Sequence, residues 1–205
     1  MSYSINMNKV FIFPFLFLLF LGCKKENSAE NQFPKESKFE RTETPAEASP
    51  EDKQGIESAI KGFLSWYQQN FGSLFTYEDV KGGGAGKQPF QVNWDGVNGL
   101  LKEMKKCPDL DDKFFENEIQ FYKKWEDTWK EKPETKQIPD IFQIDRYLCS
   151  AEPDMIFSLI EKTNIAIAVK GETATALMGY ENGNRLPFEL QKREGKWRIS
   201  RIICE

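Results

Sequence analysis

The hydrophobic pattern of this chain changes its period near Ile144, and that change limits the folds open to it. Upstream, apolar residues recur every three or four positions, as on one face of a helix. Downstream, they alternate with polar or small residues, as in half-buried strands; residues 165–169, where Ile and Val alternate with Ala, show this clearly. Helices followed by strands predict an α+β domain, with three N-terminal helices packed on a curved antiparallel sheet.

The upstream part predicts three helices. The first begins at Ser49-Pro50, where Ser can cap the helix and Pro fits its first turn, and it ends at Gly72. The second covers residues 94–104, and the third covers residues 111–131 with Asp109 as the expected cap. Their apolar stripes comprise Ile56, Ile60, Phe63, Leu64, Tyr67 and Phe71; Trp94, Val97, Leu100, Leu101 and Met104; and Phe114, Phe115, Ile119, Phe121, Tyr122, Trp125 and Trp129.

The downstream part predicts an antiparallel meander. A short strand is expected at residues 144–149, followed by a helical turn or loop at residues 153–162. Longer strands are expected at residues 164–170, 173–180, 185–193 and 196–204. The Asn-Gly pair at residues 182–183 is a strong signal for the hairpin in the middle of this series.

The N-terminal segment resembles the signal peptide of a bacterial lipoprotein. Lys9 precedes an apolar run that ends in Gly22-Cys23, and the run of about 12 residues is shorter than the ~20 that a membrane-spanning helix needs. The resemblance implies cleavage after residue 22 and lipidation of Cys23, although Leu21 and Phe20 depart from the usual lipobox residues. The expected location is the cell envelope, with a lipid anchor in the outer membrane and the domain on its periplasmic or surface side.

Three segments follow from this interpretation: a signal peptide at residues 1–22, a lipidated cysteine with a disordered tether at residues 23–48, and a single domain at residues 49–205. The tether is rich in Lys, Glu, Ser, Asn, Thr and Pro, with Phe33 and Phe39 as its only large apolar residues. Such a composition buries too little apolar surface to offset the entropy of ordering the chain.

The chain contains no His, which excludes imidazole bases, Ser-His-Asp triads and most metal sites. Its 28 basic and 32 acidic residues also argue against nucleic-acid binding, and no cofactor or metal is expected.

Cys107, Cys149 and Cys204 remain once Cys23 is lipidated, so at most one internal disulfide can form. Cys107–Cys149 is the favoured pairing because both lie where elements end; the other two pairings and the absence of a bridge are alternatives.

Two further motifs are better interpreted as structural. The run from Lys81 to Lys87 contains four Gly residues, but it lacks the first Gly and the final Ser or Thr of a phosphate-binding loop. A surface connection is favoured, with a flap over a pocket as the alternative. Asp109, Asp111 and Asp112 are spaced loosely like calcium ligands, yet the Gly and terminal Glu of a calcium loop are missing, so they are interpreted as acids at a helix start.

Asp145 is the most interesting ionisable residue, because it lies among apolar neighbours and could face a cavity with a raised pKa. The favoured alternative is that it caps a helix, pairs with an Arg or faces water. The predicted pocket comprises Trp66, Tyr67, Trp125, Asp145 and Tyr147. Two functions are compatible with it: a non-catalytic envelope module that binds a small ligand or a protein partner, and a small isomerase-like or hydrolase-like enzyme that uses Asp145.

Three stretches carry a resemblance to a bacterial lipoprotein family, domain-of-unknown-function family 3828. They are Phe63-Leu64-Ser65-Trp66-Tyr67, Ile144-Asp145-Arg146-Tyr147-Leu148-Cys149, and Leu190 through Gly195-Lys196-Trp197-Arg198-Ile199 with Ile202. The order of helices and strands also resembles the cone-shaped, cystatin-like fold of nuclear transport factor two. Because the family has no assigned activity, the resemblance implies no catalytic residues.

Overall fold

The computed structural model describes residues 48–84, 88–180 and 185–204. The predicted signal peptide, the lipidation of Cys23 and almost all of the tether lie outside these residues and stay predictions. Among the helices of these residues, none is both long enough and apolar enough to cross a membrane.

Helix α1, Pro50–Leu74, is the longest element and lies across the sheet. The Ser49 side chain caps it by accepting a hydrogen bond of 3.1 Å from the backbone N–H of Asp52, as the sequence predicted. The helix continues two residues past Gly72. Its buried face consists of Ile56, Ala59, Ile60, Phe63, Leu64, Tyr67 and Leu74.

Two more helices and a small hairpin complete the N-terminal half. Strands β1, Val80–Lys81, and β2, Gln91–Val92, form an antiparallel pair that the sequence did not predict. Helices α2, Trp94–Met104, and α3, Asp112–Glu131, agree closely with their predicted ranges. The α3 cap is Asp111, which accepts a hydrogen bond from Lys113 N, and not Asp109.

The segment between α3 and the sheet is a series of turns. A short 3₁₀ helix covers Asp140–Phe142, and helix α4 covers Pro153–Phe157. The strand predicted at residues 144–149 is wrong. Asp145 forms an isolated antiparallel bridge with Ser150, and its carbonyl also accepts from the N–H of Leu148. Cys149 has a φ of 50°, a left-handed conformation that belongs to a turn and not to a strand.

The C-terminal half is one antiparallel sheet of strands β3, Ile165–Lys170, β4, Thr173–Gly179, β5, Arg185–Arg193, and β6, Lys196–Ile202. Their order in the sheet is their order in the sequence, with an irregularity in the β5–β6 pairing between Glu189 and Leu190. Helices α1 and α3 pack on this sheet. The predicted α+β class is therefore confirmed, while the cone-shaped fold stays a prediction.

The outer edge of β6 is covered by the turn between α2 and α3. Leu110 forms a parallel bridge with Ile199. The N–H of Ile199 donates to the carbonyl of Asp109, and the N–H of Asp111 donates to the carbonyl of Ile199, both at 2.8 Å. These bonds fix the start of α3 against the sheet.

The disulfide joins Cys149 to Cys204, with their α-carbons 5.2 Å apart, so the favoured pairing of Cys107 with Cys149 is wrong. Cys107 is a free thiol that packs in the core at the end of α2 and is 3% exposed. Burial raises the pKa of this thiol to about 11. Cys107 does lie near the end of a helix, but its side chain is buried in the core. The turn at Cys149 lies beside the end of β6, next to Cys204, and the disulfide forms there.

Candidate functional site

A cavity of about 200 Å³ lies at the C-terminal end of α1. It is a half-open cavity bordered by α1, the loop that follows it, α2, α3, the 3₁₀ helix and residues 144–147. No residue of the four-stranded sheet lines it. Its lining comprises Tyr67, Leu74, Phe75, Tyr77, Asp79, Leu100, Tyr122, Ile141, Phe142, Ile144, Asp145, Arg146 and Tyr147.

Two glycines of α2 allow the loop after α1 to form one wall of the cavity. A β-carbon on Gly96 would lie 1.8 Å from the carbonyl oxygen of Glu78, and one on Gly99 would lie 2.4 Å from the Tyr77 ring. The Asn93 side chain donates to the same Glu78 carbonyl at 2.8 Å. Close packing of this loop on α2 therefore places the next residue, Asp79, at the cavity.

Asp145 also lines the cavity and organises the turn around it. One carboxyl oxygen accepts hydrogen bonds from the backbone N–H groups of Tyr147 and Leu148, and the other accepts from the Tyr67 hydroxyl, all at 2.9 Å. Burial raises the pKa of Asp145 above its usual value, and these three donors oppose the shift. The amides that it binds belong to a turn and not to a helix, so Asp145 lines the cavity without capping a helix.

Asp79 is a second acid at the cavity. Tyr122 is a fully buried residue of α3, and its hydroxyl donates to the carboxylate of Asp79 at 2.9 Å. Burial raises the pKa of Asp79, while the Tyr122 hydrogen bond and the charge of Arg146 act in the other direction. Both cavity acids are therefore harder to ionise than a carboxyl in water.

Arg146 also lines the cavity, but its charge is already paired. Its guanidinium donates to both carboxylate oxygens of Glu118, with Nε at 3.1 Å and Nη2 at 2.5 Å, and Tyr147 donates to the same carboxylate at 3.0 Å. The guanidinium lies 3.5 Å from the centre of the Phe121 ring. Burial alone would lower the pKa of Arg146, but the buried charge of Glu118 raises it, so the arginine stays protonated.

Six aromatic side chains contribute to the apolar part of the cavity lining: Tyr67, Phe75, Tyr77, Tyr122, Phe142 and Tyr147. Tyr67 and Tyr147 meet edge to face with their ring centres 5.8 Å apart, which fixes the wall around Asp145. The cavity can therefore hold an apolar body while presenting two carboxyl groups.

The structure brings together three of the five predicted pocket residues, since Tyr67, Asp145 and Tyr147 all line the cavity. Trp66 packs at the margin of the core, and Trp125 packs on Phe142 with ring centres 5.5 Å apart; neither lines the cavity.

Sequence reasoning missed Asp79, Glu118 and Arg146. Glu118 could have been found, because it falls on the apolar stripe of α3 four positions after Phe114 and four before Tyr122. A charged residue at such a position needs a buried partner. The sequence offers no comparable signal for Asp79, because its place depends on how the preceding loop packs on α2.

The described part of the glycine-rich run, residues 81–84, has a structural role. The N–H groups of Gly83 and Gly84 already donate to the carbonyls of Gln88 and Thr135, at 2.8 Å and 2.6 Å. A β-carbon on Gly83 would lie 2.0 Å from the Phe90 ring. These glycines therefore permit close packing, and their amides are not available to cradle a phosphate.

No family model, curated protein or solved structure matches the chain. The resemblance to the lipoprotein family therefore stays a prediction, and the case for a function rests on the cavity.

Proposed function

We propose that this protein is a lipid-anchored envelope lipoprotein whose domain binds a small ligand, without catalysis, in the cavity at the end of α1. The observation that carries the proposal is the combination of an aromatic lining with two carboxyl groups in the lining of one half-open cavity. The Cys149–Cys204 disulfide supports export, since such bonds persist in oxidising compartments.

The size of the cavity limits the ligand. A volume of about 200 Å³ is that of six or seven water molecules in the liquid, at ≈ 30 Å³ each. It is smaller than the ≈ 300–1,000 Å³ of sites that bind drug-sized ligands. The expected ligand is a molecule with a single ring or a short chain.

The hydrogen bonds of Asp145 favour binding over the alternative of an enzyme that uses this residue. Its two oxygens already accept from three donors, two of them backbone amides of its own turn. A general base must be free to accept the proton that it removes, and a residue that holds its own loop is poorly placed for that exchange.

Native mass spectrometry of the full chain, extracted in a non-ionic detergent, tests the proposal. We expect a bound small molecule in the unmodified protein and its loss in Ile144→Trp, which places an indole in the cavity wall. Ile119→Trp is the matched control, because Ile119 is 37% exposed on α3 and does not line the cavity. Equal occupancy in both variants, with both folded by circular dichroism, would contradict the proposal.

A further inference from the structure

The charges around the cavity do not balance. Asp79, Asp145 and Arg146 line it, and Arg146 is neutralised from behind by Glu118. Within residues 48–84, 88–180 and 185–204, no Lys or Arg nitrogen lies within 4.0 Å of a carboxylate oxygen of Asp79 or Asp145. Two acids thus line one cavity without a salt bridge, although the charge of Arg146 favours the ionised form of both. Ionising both in a partly buried site is costly.

The walls offer a second attraction for a cation. Aromatic ring faces carry partial negative charge and bind ammonium or guanidinium groups within ≈ 6 Å of the ring centre. Arg146 shows this attraction, because its guanidinium lies 5.8 Å from the centre of the Tyr122 ring and 5.6 Å from that of the Tyr147 ring. Phe75 and Tyr77 line the same cavity, and their rings offer the same attraction to the charged group of a ligand.

The two acids are engaged in similar ways. Asp145 accepts from the Tyr67 hydroxyl and from two amides of its own turn. Asp79 accepts from the Tyr122 hydroxyl, and backbone hydrogen bonds from Asp79 and Val80 also lower its pKa. Both carboxyls line the cavity, so both are placed to attract the charged group of a ligand.

We infer that the ligand is a small organic cation, an amine or quaternary ammonium compound with an apolar body, whose charged group is attracted by the carboxyls of Asp79 and Asp145. This inference rests on the proposed function, since it names the chemical class of the ligand in the same cavity. The apolar body would lie against the aromatic side chains.

The affinity for such a cation should depend on pH. The ionisable groups near Asp79 are Tyr122 and Arg146, and those near Asp145 are Tyr67 and Arg146, with Glu118 behind the arginine. Burial raises the pKa of both carboxyls, so each takes up a proton at a higher pH than a free Asp. A cation binds the ionised form, and its affinity should fall as the pH drops through these raised pKa values.

Three probes of nearly the same shape test the inference: benzylamine, benzyl alcohol and benzoate. We would measure their dissociation constants by isothermal titration calorimetry with the detergent-solubilised full chain at pH 7.5 and pH 5. We expect benzylamine to bind at least tenfold more tightly than benzyl alcohol at pH 7.5 and benzoate to bind most weakly. The advantage of the amine should shrink at pH 5.

Asp79→Asn should reduce the preference for benzylamine over benzyl alcohol at least fivefold. Asp127→Asn is the matched control, because Asp127 is an exposed residue of α3 away from the cavity, and it should bind like the unmodified protein. If Asp79→Asn does not fold, Asp145→Asn provides the second test, with the same expected reduction.

Two results would overturn the inference. Equal binding of amine and alcohol at pH 7.5 would refute a cationic ligand but leave the proposed ligand-binding function intact. A preference for the amine that persists in folded Asp79→Asn and folded Asp145→Asn would place the cation elsewhere. A cavity that binds none of the three probes and carries no copurified molecule would instead refute the proposed function itself.

Discussion

The disulfide provides the sharpest test of how this domain is stabilised. Cys149 is 55 residues from Cys204 in the sequence, and closing a loop of that length removes about 14 cal/mol/K from the entropy of the unfolded chain in the loop-closure model. At 25 °C this corresponds to about 4 kcal/mol of stability, less any strain in the folded state. A domain of this size loses roughly 2–4 °C in Tm per kcal/mol, so the expected loss is about 8–16 °C.

The assay is urea unfolding followed by Trp fluorescence, together with thermal melts. Cys204→Ser should lower the free energy of unfolding by about 4 kcal/mol, and adding a reductant to this variant should cause no further loss. Cys107→Ser is the matched control. Its stability should still fall by about 4 kcal/mol on reduction, because the Cys149–Cys204 bridge is intact.

Two outcomes would refute this reasoning. If reduction no longer affects Cys107→Ser, Cys107 belongs to the bridge. If Cys204→Ser is as stable as the oxidised protein, the bridge does not constrain the unfolded chain as the loop-closure model requires. Peptide mapping after alkylation without reduction supplies an independent check, since Cys107 alone of the three should be labelled.

Four further predictions concern other parts of the chain. Glu118→Gln should lower the free energy of unfolding, measured with urea, by about 3–5 kcal/mol, because it leaves the buried guanidinium of Arg146 without a counter-charge. Asp79→Asn should gain stability relative to the unmodified protein as the pH in thermal melts rises from 4 to 7. The reason is that the pKa of Asp79 is raised in the folded state. Asp79 therefore stabilises the folded protein fully below its unfolded-state pKa, and this stabilisation is lost as the pH rises through its folded-state pKa. Cys23→Ser should release the protein from membrane fractions or leave the precursor uncleaved; a correctly cleaved variant that still sediments with membranes would exclude lipidation. A chain beginning at Ala46 should melt within a few degrees of the mature protein, and a large drop would mean that Phe33 or Phe39 docks on the domain.

The regular elements could be predicted because each has a local signal. The N-cap of α1 at Ser49, the apolar periodicity of the helices and the alternation in the strands all depend on residues close in sequence. The β1–β2 pair was missed because two-residue strands are too short to show a period. Residues 144–149 resembled a strand because apolar residues flank Asp145, but the side chain of this residue binds the amides that a strand would have used.

The site could be predicted only in part, for a physical reason. Tyr67 and Tyr147 lie on the two elements that face each other, and their aromatic character was visible in the sequence. The cavity itself depends on the absence of side chains at Gly96 and Gly99, which lets the loop carrying Asp79 approach α2. The cysteine pairing likewise depends on where a turn and a strand end meet, which spacing alone does not determine.

The order of the strands has a consequence for how the chain folds. Neighbours in the sheet are neighbours in the sequence, so each hairpin closes a short loop and should form early. The contact between Leu110 and Ile199 joins distant parts of the chain and should form late, so the edge of β6 stays open to other chains in the meantime. Pulsed hydrogen exchange during refolding should protect amides of β4 and β5 before that of Asp111; the opposite order would show that the helices dock first.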